Sequence, residues 1–419
     1  MQAHVTAAIL TIAALATAGV ILRPFNLHEA VWALAGAVLL VALRLISPAQ
    51  ALAGVAKGTD VYLFLFGMML LAEIAREEGL FDWLAAIATS HARGSAPRLF
   101  LLIYCVGTVV TIFLSNDATA VVLTPAVAAA VETAKAKQPL PYLLICAFIA
   151  NAASFVLPIS NPANLVIYGS HMPPLLRWLP SYLLPSALSI LATYLALRWT
   201  QRKALKEEIA KDIARPALSC SGKVAAIGLA ATALVLLVCS TLDLQLGLPT
   251  AIAGAVTATA VLISERKGPW SALRNIAWGV LPLVAGLFVL VEALNATGLI
   301  AAIVAFLHDG VTRSASLAAW GAGIAVALVS NLINNLPAGL IAGSAVQAAH
   351  APEDVTRAVL IGVDIGPNLS VTGSLATILW LTALHREGHS VGFGAFLKLG
   401  LVVMPPALIL AIGSVLLLG

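Results

Sequence analysis

Residues 99–131 read LFLLIYCVGTVVTIFLSNDATAVVLTPAVAAAV, 33 residues whose one charge, Asp117, sits near the centre behind Ser115-Asn116. A helix that crosses a bilayer needs about 20 mostly apolar residues. The stretch is long for one crossing and short for two, so it reads as a re-entrant hairpin with a polar tip at mid-membrane. Residues 314–349 hold no charge at all and carry Asn331, Asn334 and Asn335 near their centre, which gives a second hairpin.

Two more apolar stretches are interrupted. Residues 138–170 contain Pro158-Ile-Ser160-Asn161-Pro162-Ala-Asn164, and residues 358–384 contain Asp364 followed by Gly366-Pro367-Asn368. Pro removes a backbone donor and Gly loosens a helix, so both read as broken crossings that line a cavity. Ordinary spans lie near 5–22, 30–46, 61–79, 181–199, 224–242, 249–264, 276–297 and 397–418.

The composition agrees. Of 419 residues 61% are hydrophobic and 10% charged, against about 25% charged in soluble domains. The 23 Lys+Arg and 19 Asp+Glu are too few to cover soluble domains, and the surface must face lipid. A net charge of +4 belongs to loops rather than to a nucleic-acid patch. The start, Met1-Gln-Ala-His-Val5, lacks the basic residues of a signal peptide and reads as a first crossing. Cys105, Cys146, Cys220 and Cys239 lie far apart without a C-x-x-C pair, so no disulfide framework or zinc knuckle is indicated. Cys105, Cys146 and Cys239 read as core residues.

The chain repeats itself. Gly67-x5-Glu73-x5-Gly79 recurs as Gly286-x5-Glu292-x5-Gly298, and Ser115-Asn116 recurs as Ser330-Asn331. Pro162-Ala-Asn164-Leu165 through Gly169-Ser170 recurs with a deletion as Pro367-Asn368-Leu369 through Gly373-Ser374. Three pairs in one order argue for duplication. Residues 1–200 form one membrane repeat, 201–223 a cytoplasmic linker with the character of an amphipathic surface helix, and 224–419 the second repeat. Five crossings per half make the second repeat inverted. With the linker cytoplasmic, 18 of the 23 Lys+Arg fall inside, and Arg44, Lys57, Arg177, Arg313 and Arg357 fall outside, which the positive-inside rule favours. The expected fold is an all-α integral membrane protein of two inverted repeats, with ten transmembrane helices, two re-entrant hairpins and two broken helices, and both termini outside.

Ionisable residues within a membrane are functional candidates by default. Asp117 at the first tip and Asp364 beside the second break are the candidates for proton coupling, since a carboxyl taken out of water can exchange a proton near neutral pH. Glu73 and Glu292 lie toward the ends of matched helices, where they can reach the interface or cap a hairpin. Ser115, Asn116, Thr119, Ser160, Asn161, Asn164, Asn331, Asn334, Asn335, Asn368 and Thr372 supply uncharged donors and acceptors suited to a small neutral polyhydroxyl solute; their alternative role is to bond the backbone of tips and breaks. No Lys or Arg stands near either tip, which disfavours an organic anion, although helix N-termini at breaks can hold one. His385-Arg-Glu-Gly-His389 reads as a solvated turn rather than a metal site. H-E-x-x-H, G-x-S-x-G and G-x-x-x-x-G-K-[ST] are all missing, which excludes ATP hydrolysis by this chain and argues for a transporter over an enzyme.

At these motifs the sequence resembles the arsenical pump membrane proteins, the arsenite and antimonite efflux permeases of the ion transporter superfamily. The matching runs are Leu114-Ser-Asn-Asp-Ala-Thr-Ala-Val-Val-Leu-Thr-Pro125, Leu157-Pro-Ile-Ser-Asn-Pro-Ala-Asn-Leu165, Asn331-Leu-Ile-Asn-Asn-Leu-Pro337, Val363-Asp-Ile-Gly-Pro-Asn-Leu369 and Thr372-Gly-Ser-Leu-Ala-Thr-Ile-Leu-Trp380. The resemblance implies a bacterial inner-membrane exporter of neutral As(OH)3 and Sb(OH)3 in exchange for protons, without a cofactor, paired in some systems with a separate soluble arsenite-stimulated ATPase subunit. Sodium-coupled relatives carry Ser-Asn-Thr at both tips; here the carboxylate of Asp117 replaces the neutral residue, which points to a proton. The alternatives are a sodium/proton antiporter or sodium-coupled carboxylate carrier of the same superfamily, and a channel.

Overall fold

A computed structural model describes residues 2–211, 217–266 and 268–418. Arg215 and Lys267 of the charge count, and Met1 and Gly419, lie outside the described residues. The first half runs α1 (Gln2–Leu22), α2 (Glu29–Ala42), α3 (Pro48–Lys57), α4 (Thr59–Glu77), α5 (Leu80–Ala92), α6 (Ala96–Leu114), α7 (Asn116–Ala118), a π turn at Thr119–Leu123, α8 (Thr124–Thr133), α9 (Leu140–Ala152), α10 (Pro162–Tyr168) and α11 (Leu175–Thr200). The second runs α12 (Cys220–Thr241), α13 (Gly247–Glu265), α14 (Trp270–Arg274), α15 (Val280–Ala296), α16 (Leu299–Arg313), α17 (Ala315–Ile333), α18 (Asn335–Ala348), α19 (Glu353–Ile365), α20 (Leu375–Arg386) and α21 (Phe393–Leu418).

The two halves share one order of elements. Gly79 and Gly298, both left-handed at φ 70 and 83, precede α5 and α16. Ser95 and Ser314 cap α6 and α17 by accepting from backbone N–H groups three residues on. These pairs lie 219 residues apart, while α9 and α19, and α10 and α20, begin 213 residues apart. Seven helices among the described residues are long and apolar enough to cross a bilayer, nine with the bent pairs α3–α4 and α15–α16. The length test admits the hairpin arms α6 and α17 and passes over the short α2 and the two broken crossings; exchanging the former for the latter gives the ten crossings expected.

The hairpins open toward opposite ends of α11, which at 26 residues is about 39 Å long. At its C-terminal end the linker is strapped to the base of the first hairpin: Ile209 N–H donates to Gly94 O, Ala210 N–H to Ala134 O, and Lys137 N–H to a Glu207 carboxylate oxygen. An isolated bridge joins Ser95 and Glu208. Over residues 207–210 this pairing stands where an amphipathic helix is expected of the linker, while residues 212–216 lie outside the described residues. The base of the second hairpin, at Gln347 and His350, faces the N-terminal end of α11 instead.

The halves meet at several helix pairs, α11 with α21 among them, and two of these are close crossings. α4 packs on α13, and α15 packs on α2. A Cβ on Gly67 of α4 would come within 2.3 Å of the Thr250 carbonyl oxygen, and one on Gly286 of α15 within 2.9 Å of Ala33 Cβ, so both backbones approach as only glycine allows. Large apolar side chains such as Leu15, Phe306 and Leu332 stay exposed, as a lipid-facing surface requires.

Two motif equivalences shift. The second tip is Asn334-Asn335, not Ser330-Asn331, because α17 continues one turn past Ser330 before Asn334 turns to φ 74. The counterpart of Ser115-Asn116-Asp117 is therefore Asn334-Asn335-Leu336. The N-cap Asn161 of α10 likewise matches the N-cap Ser374 of α20, so Pro162 and Pro367 are not equivalents. Cys146 is buried as expected, but Cys105 points outward from α6. The His385–His389 run closes α20 in a turn at Gly388.

Candidate functional site

The first hairpin turns at Ser115, whose φ of 112 is a conformation that costs a non-glycine residue about 1–3 kcal/mol. It persists because neighbours fix it. Asn116 Oδ1 accepts from Asp117 N–H at 2.9 Å, Thr111 and Thr119 share a hydroxyl hydrogen bond at 2.8 Å, and Ser160 Oγ donates to Ile112 O at 2.9 Å, tying the first break to the tip. The π turn follows at Thr119–Leu123, just before Pro125, which has no N–H to close an α turn.

Between this tip and α4 lies a cavity of about 100 Å³ whose wall includes Met68, Glu73, Ser115, Asp117, Pro162 and Asn275. Its charged lining groups are the two carboxylates, and no Lys or Arg lines it. Glu73 is engaged by Arg76 Nε at 2.9 Å and Nη2 at 2.5 Å. Glu292, its repeat counterpart, pairs with Lys57 at 2.6 Å. Asp117, the second carboxylate of the cavity, has no cation in the lining beside it and is partly accessible.

Behind the cavity the breaks interlock. Asn161 Oδ1 caps α10 through Ala163 N–H, and its Nδ2 donates to Asp364 Oδ1 at 2.7 Å. The repeat gives the mirror contact: Ser374 Oγ, capping α20, donates to Asn151 Oδ1 at 3.3 Å, and Asn151 precedes Asp364 by 213 residues. Asp364 is 0% exposed. The Ser154 hydroxyl beside it donates instead to Asn151 O at 2.7 Å, which leaves Asp364 Oδ2 without a hydrogen bond.

The remaining candidates hold backbone. Asn164 Nδ2 reaches the carbonyls of Ser154, Leu157 and Pro158. Asn331 Nδ2 clamps Ala327 O and Gly366 O, while its own carbonyl accepts from Thr372 and its Oδ1 from Ser370. Asn334 Oδ1 caps α18 through Leu336 N–H, Asn335 N–H donates to Gly373 O, and Asn368 Nδ2 donates to Phe148 O. Asp364 does not line the cavity that holds Asp117; the Asn161-Pro162 segment links the two places, with Asn161 on Asp364 and Pro162 in the cavity wall beside Asp117. Sequence reading missed Asn151, whose Nδ2 donates to Asn368 Oδ1 at 3.0 Å and to Thr377 Oγ1 at 3.4 Å. Its signal was present as a lone amide near the end of an apolar run.

A larger vestibule of about 790 Å³ opens at the N-terminal end of α11, away from the linker, with Tyr168, Arg177, Tyr182, His350, Glu353 and Arg357 in its wall.

Residues 9–364 match the citrate transporter family, which is most of the chain. The chain belongs to that family. Among curated proteins it is similar to the arsenical pump membrane protein of Escherichia coli, 27% identical over 376 residues and 83% of each chain, and to a putative arsenical pump membrane protein of Bacillus subtilis strain 168, 26% identical over 91% of this chain and 93% of that one. Among solved structures it resembles the Alcanivorax borkumensis YdaH transporter, with a TM-score of 0.55 at 16% identity over 88% of this chain and 86% of that one. It also resembles Neisseria gonorrhoeae MtrF, described as illuminating a class of antimetabolite efflux pumps, with a TM-score of 0.52 at 14% identity over 87% and 83%. These two structures share its fold. The protein is a multi-pass membrane transporter of the bacterial inner membrane, similar in sequence to arsenical pumps.

Proposed function

We propose that this member of the citrate transporter family exports arsenite and antimonite as neutral trihydroxides in exchange for protons. The observation that carries the reading is the cavity under the Ser115–Asp117 tip: small, lined by two carboxylates, and without a lining cation. A citrate anion there would meet the Asp117 carboxylate with no Lys or Arg in the lining, the nearby Arg76 being already paired with Glu73. An uncharged trihydroxide finds acceptors on Asp117 and Ser115 and an amide on Asn275, and about 100 Å³ gives room for a solute of a few heavy atoms. Similarity to arsenical pumps supports the same cargo.

In this reading Asp117 exchanges its proton against cargo on the linker side, and Asp364 holds a second proton position behind Asn161. A carboxyl with one oxygen bonded and the other free suits the protonated form, in which Oδ2 carries the hydrogen. The amides of Asn161, Asn164, Asn331 and Asn368 keep the breaks and tips in register while the halves alternate access.

The test is arsenite accumulation in everted vesicles stripped of soluble proteins, under an imposed pH difference, with and without sodium. Asp117→Asn keeps shape and hydrogen bonding but fixes the site neutral, so purified Asp117→Asn should bind As(OH)3 and fail to accumulate it. Wild-type, pH-driven accumulation by Asp117→Asn would remove Asp117 from the mechanism. Accumulation that needs sodium and ignores pH would instead identify a sodium-coupled carrier.

A further inference from the structure

Asp364 has no opening to the tip cavity and no exposed surface, yet proton exchange there needs a route. The vestibule supplies its beginning. Tyr168 and Tyr182 both stand in its wall, their hydroxyl oxygens 2.7 Å apart in a hydrogen bond that either can donate. Tyr182 is fully buried, its ring meets Phe155 of the first break edge-on, and Arg357 in the same vestibule wall stands about two helical turns from Asp364 on α19. Trp178 packs on both rings, at 4.3 Å from Tyr182 and 5.7 Å from Tyr168, and its Nε1 donates to Phe155 O and Val156 O of the first break. This aromatic stack forms part of the vestibule wall and carries the two bonded hydroxyls within it.

We propose that the Tyr168–Tyr182 hydroxyl pair is the proton relay joining the vestibule to Asp364, an inference that rests on the reading of Asp364 as a proton position. A proton from vestibule water binds Tyr168 Oη as the Tyr168 hydrogen passes to Tyr182 Oη. The Tyr182 hydrogen then passes by way of bridging water to Asp364 Oδ2, the oxygen of that carboxyl without a hydrogen bond. One proton enters, one carboxylate becomes an acid, and both phenols end neutral.

The repeat supports this assignment. At the matching offsets, the counterpart of Asp364 is Asn151, that of Tyr168 is Leu381 and that of Tyr182 is Gly400. The acid and both hydroxyls occur together on one side of the pseudo-symmetry, and the other side has an amide and no hydroxyl in their places. The charged groups around the relay are consistent with a neutral line. Arg357 pairs with Glu353 and Asp354 on its own helix, and Arg177, Asp243, His171 and His350 line the vestibule.

The experiment reads Asp364 itself, without cargo. In infrared spectra of the purified protein, the carboxylic acid band that Asp364→Asn removes should shift when the protein is moved into heavy water. Tyr182→Phe, which keeps the ring against Trp178, and Tyr168→Phe should each slow that shift at least tenfold. Arsenite binding, measured on the same samples, should change less than twofold; loss of binding in wild type would count against the cargo reading and leave the exchange result intact. An unchanged exchange rate in both variants would overturn the relay, as would the lack of any acid band that Asp364→Asn removes.

Discussion

Replacing Asp364 separates its structural work from its proton chemistry. In Asp364→Asn the side-chain oxygen still accepts from Asn161 Nδ2, now at 2.7 Å, and an NH2 group takes the place of Oδ2, which has no partner to lose. The net change in stability should stay within about 1 kcal/mol. Asp364→Ala leaves the Asn161 donor buried and unbonded, which costs about 1–3 kcal/mol before any cavity is counted. Moving the acid to its repeat counterpart should also be costly. In Asn151→Asp the group that donates to Asn368 Oδ1 and Thr377 Oγ1 disappears, and an oxygen faces an oxygen. The functional magnitude follows from the gradient. With the membrane potential collapsed, one pH unit carries about 1.4 kcal/mol per proton, enough for about tenfold accumulation at one proton per solute. Asp364→Asn should melt like wild type and bind arsenite, yet bring the concentration ratio in everted vesicles from about tenfold to about one. Retention of the tenfold ratio would refute the proton position at Asp364.

Three further outcomes are expected. Gly67→Ala places a methyl 2.3 Å from Thr250 O, so it should force α4 off α13 and lower stability by about 1–3 kcal/mol, read as reduced thermal stability in detergent. Replacing all four cysteines with Ser or Ala should leave arsenite resistance largely intact, since Cys105 faces outward and the others stand apart from the tip cavity; loss of transport in Cys146→Ala with normal expression would overturn recognition by hydroxyls. A reporter inserted near Lys211 should be cytoplasmic and one fused after Gly419 outside, and a cytoplasmic C-terminus would sink the inverted arrangement.

Much of this was legible because membranes punish irregular backbone: a polar tip inside residues 99–131, or Pro and Gly inside an apolar run, survives at that depth only where protein or a cavity surrounds it. Register was harder. Ser330-Asn331 looks like Ser115-Asn116 but falls one helical turn early, because nothing local distinguishes an Asn that clamps Ala327 O from an Asn that turns the chain. The linker misled for the opposite reason. Its charge pattern suits a surface helix, and its extended strap depends on partners at Gly94 and Ala134, far away in sequence. The separation of Asp117 from Asp364 was invisible too, since it depends on which side of Asn161-Pro162 each carboxyl lies.

The glycine crossings carry a consequence for how such a protein arose. Gly67 of the first half needs the α13 backbone of the second, and Gly286 of the second needs α2 of the first. Neither half owns both sides of its own seam. A gene for one half would therefore have had to make two copies that inserted in opposite senses and traded the same contact before fusion fixed the pair. Boundaries drawn along the chain and boundaries drawn through the folded protein consequently disagree, and the two halves expressed as separate polypeptides should assemble only with each other.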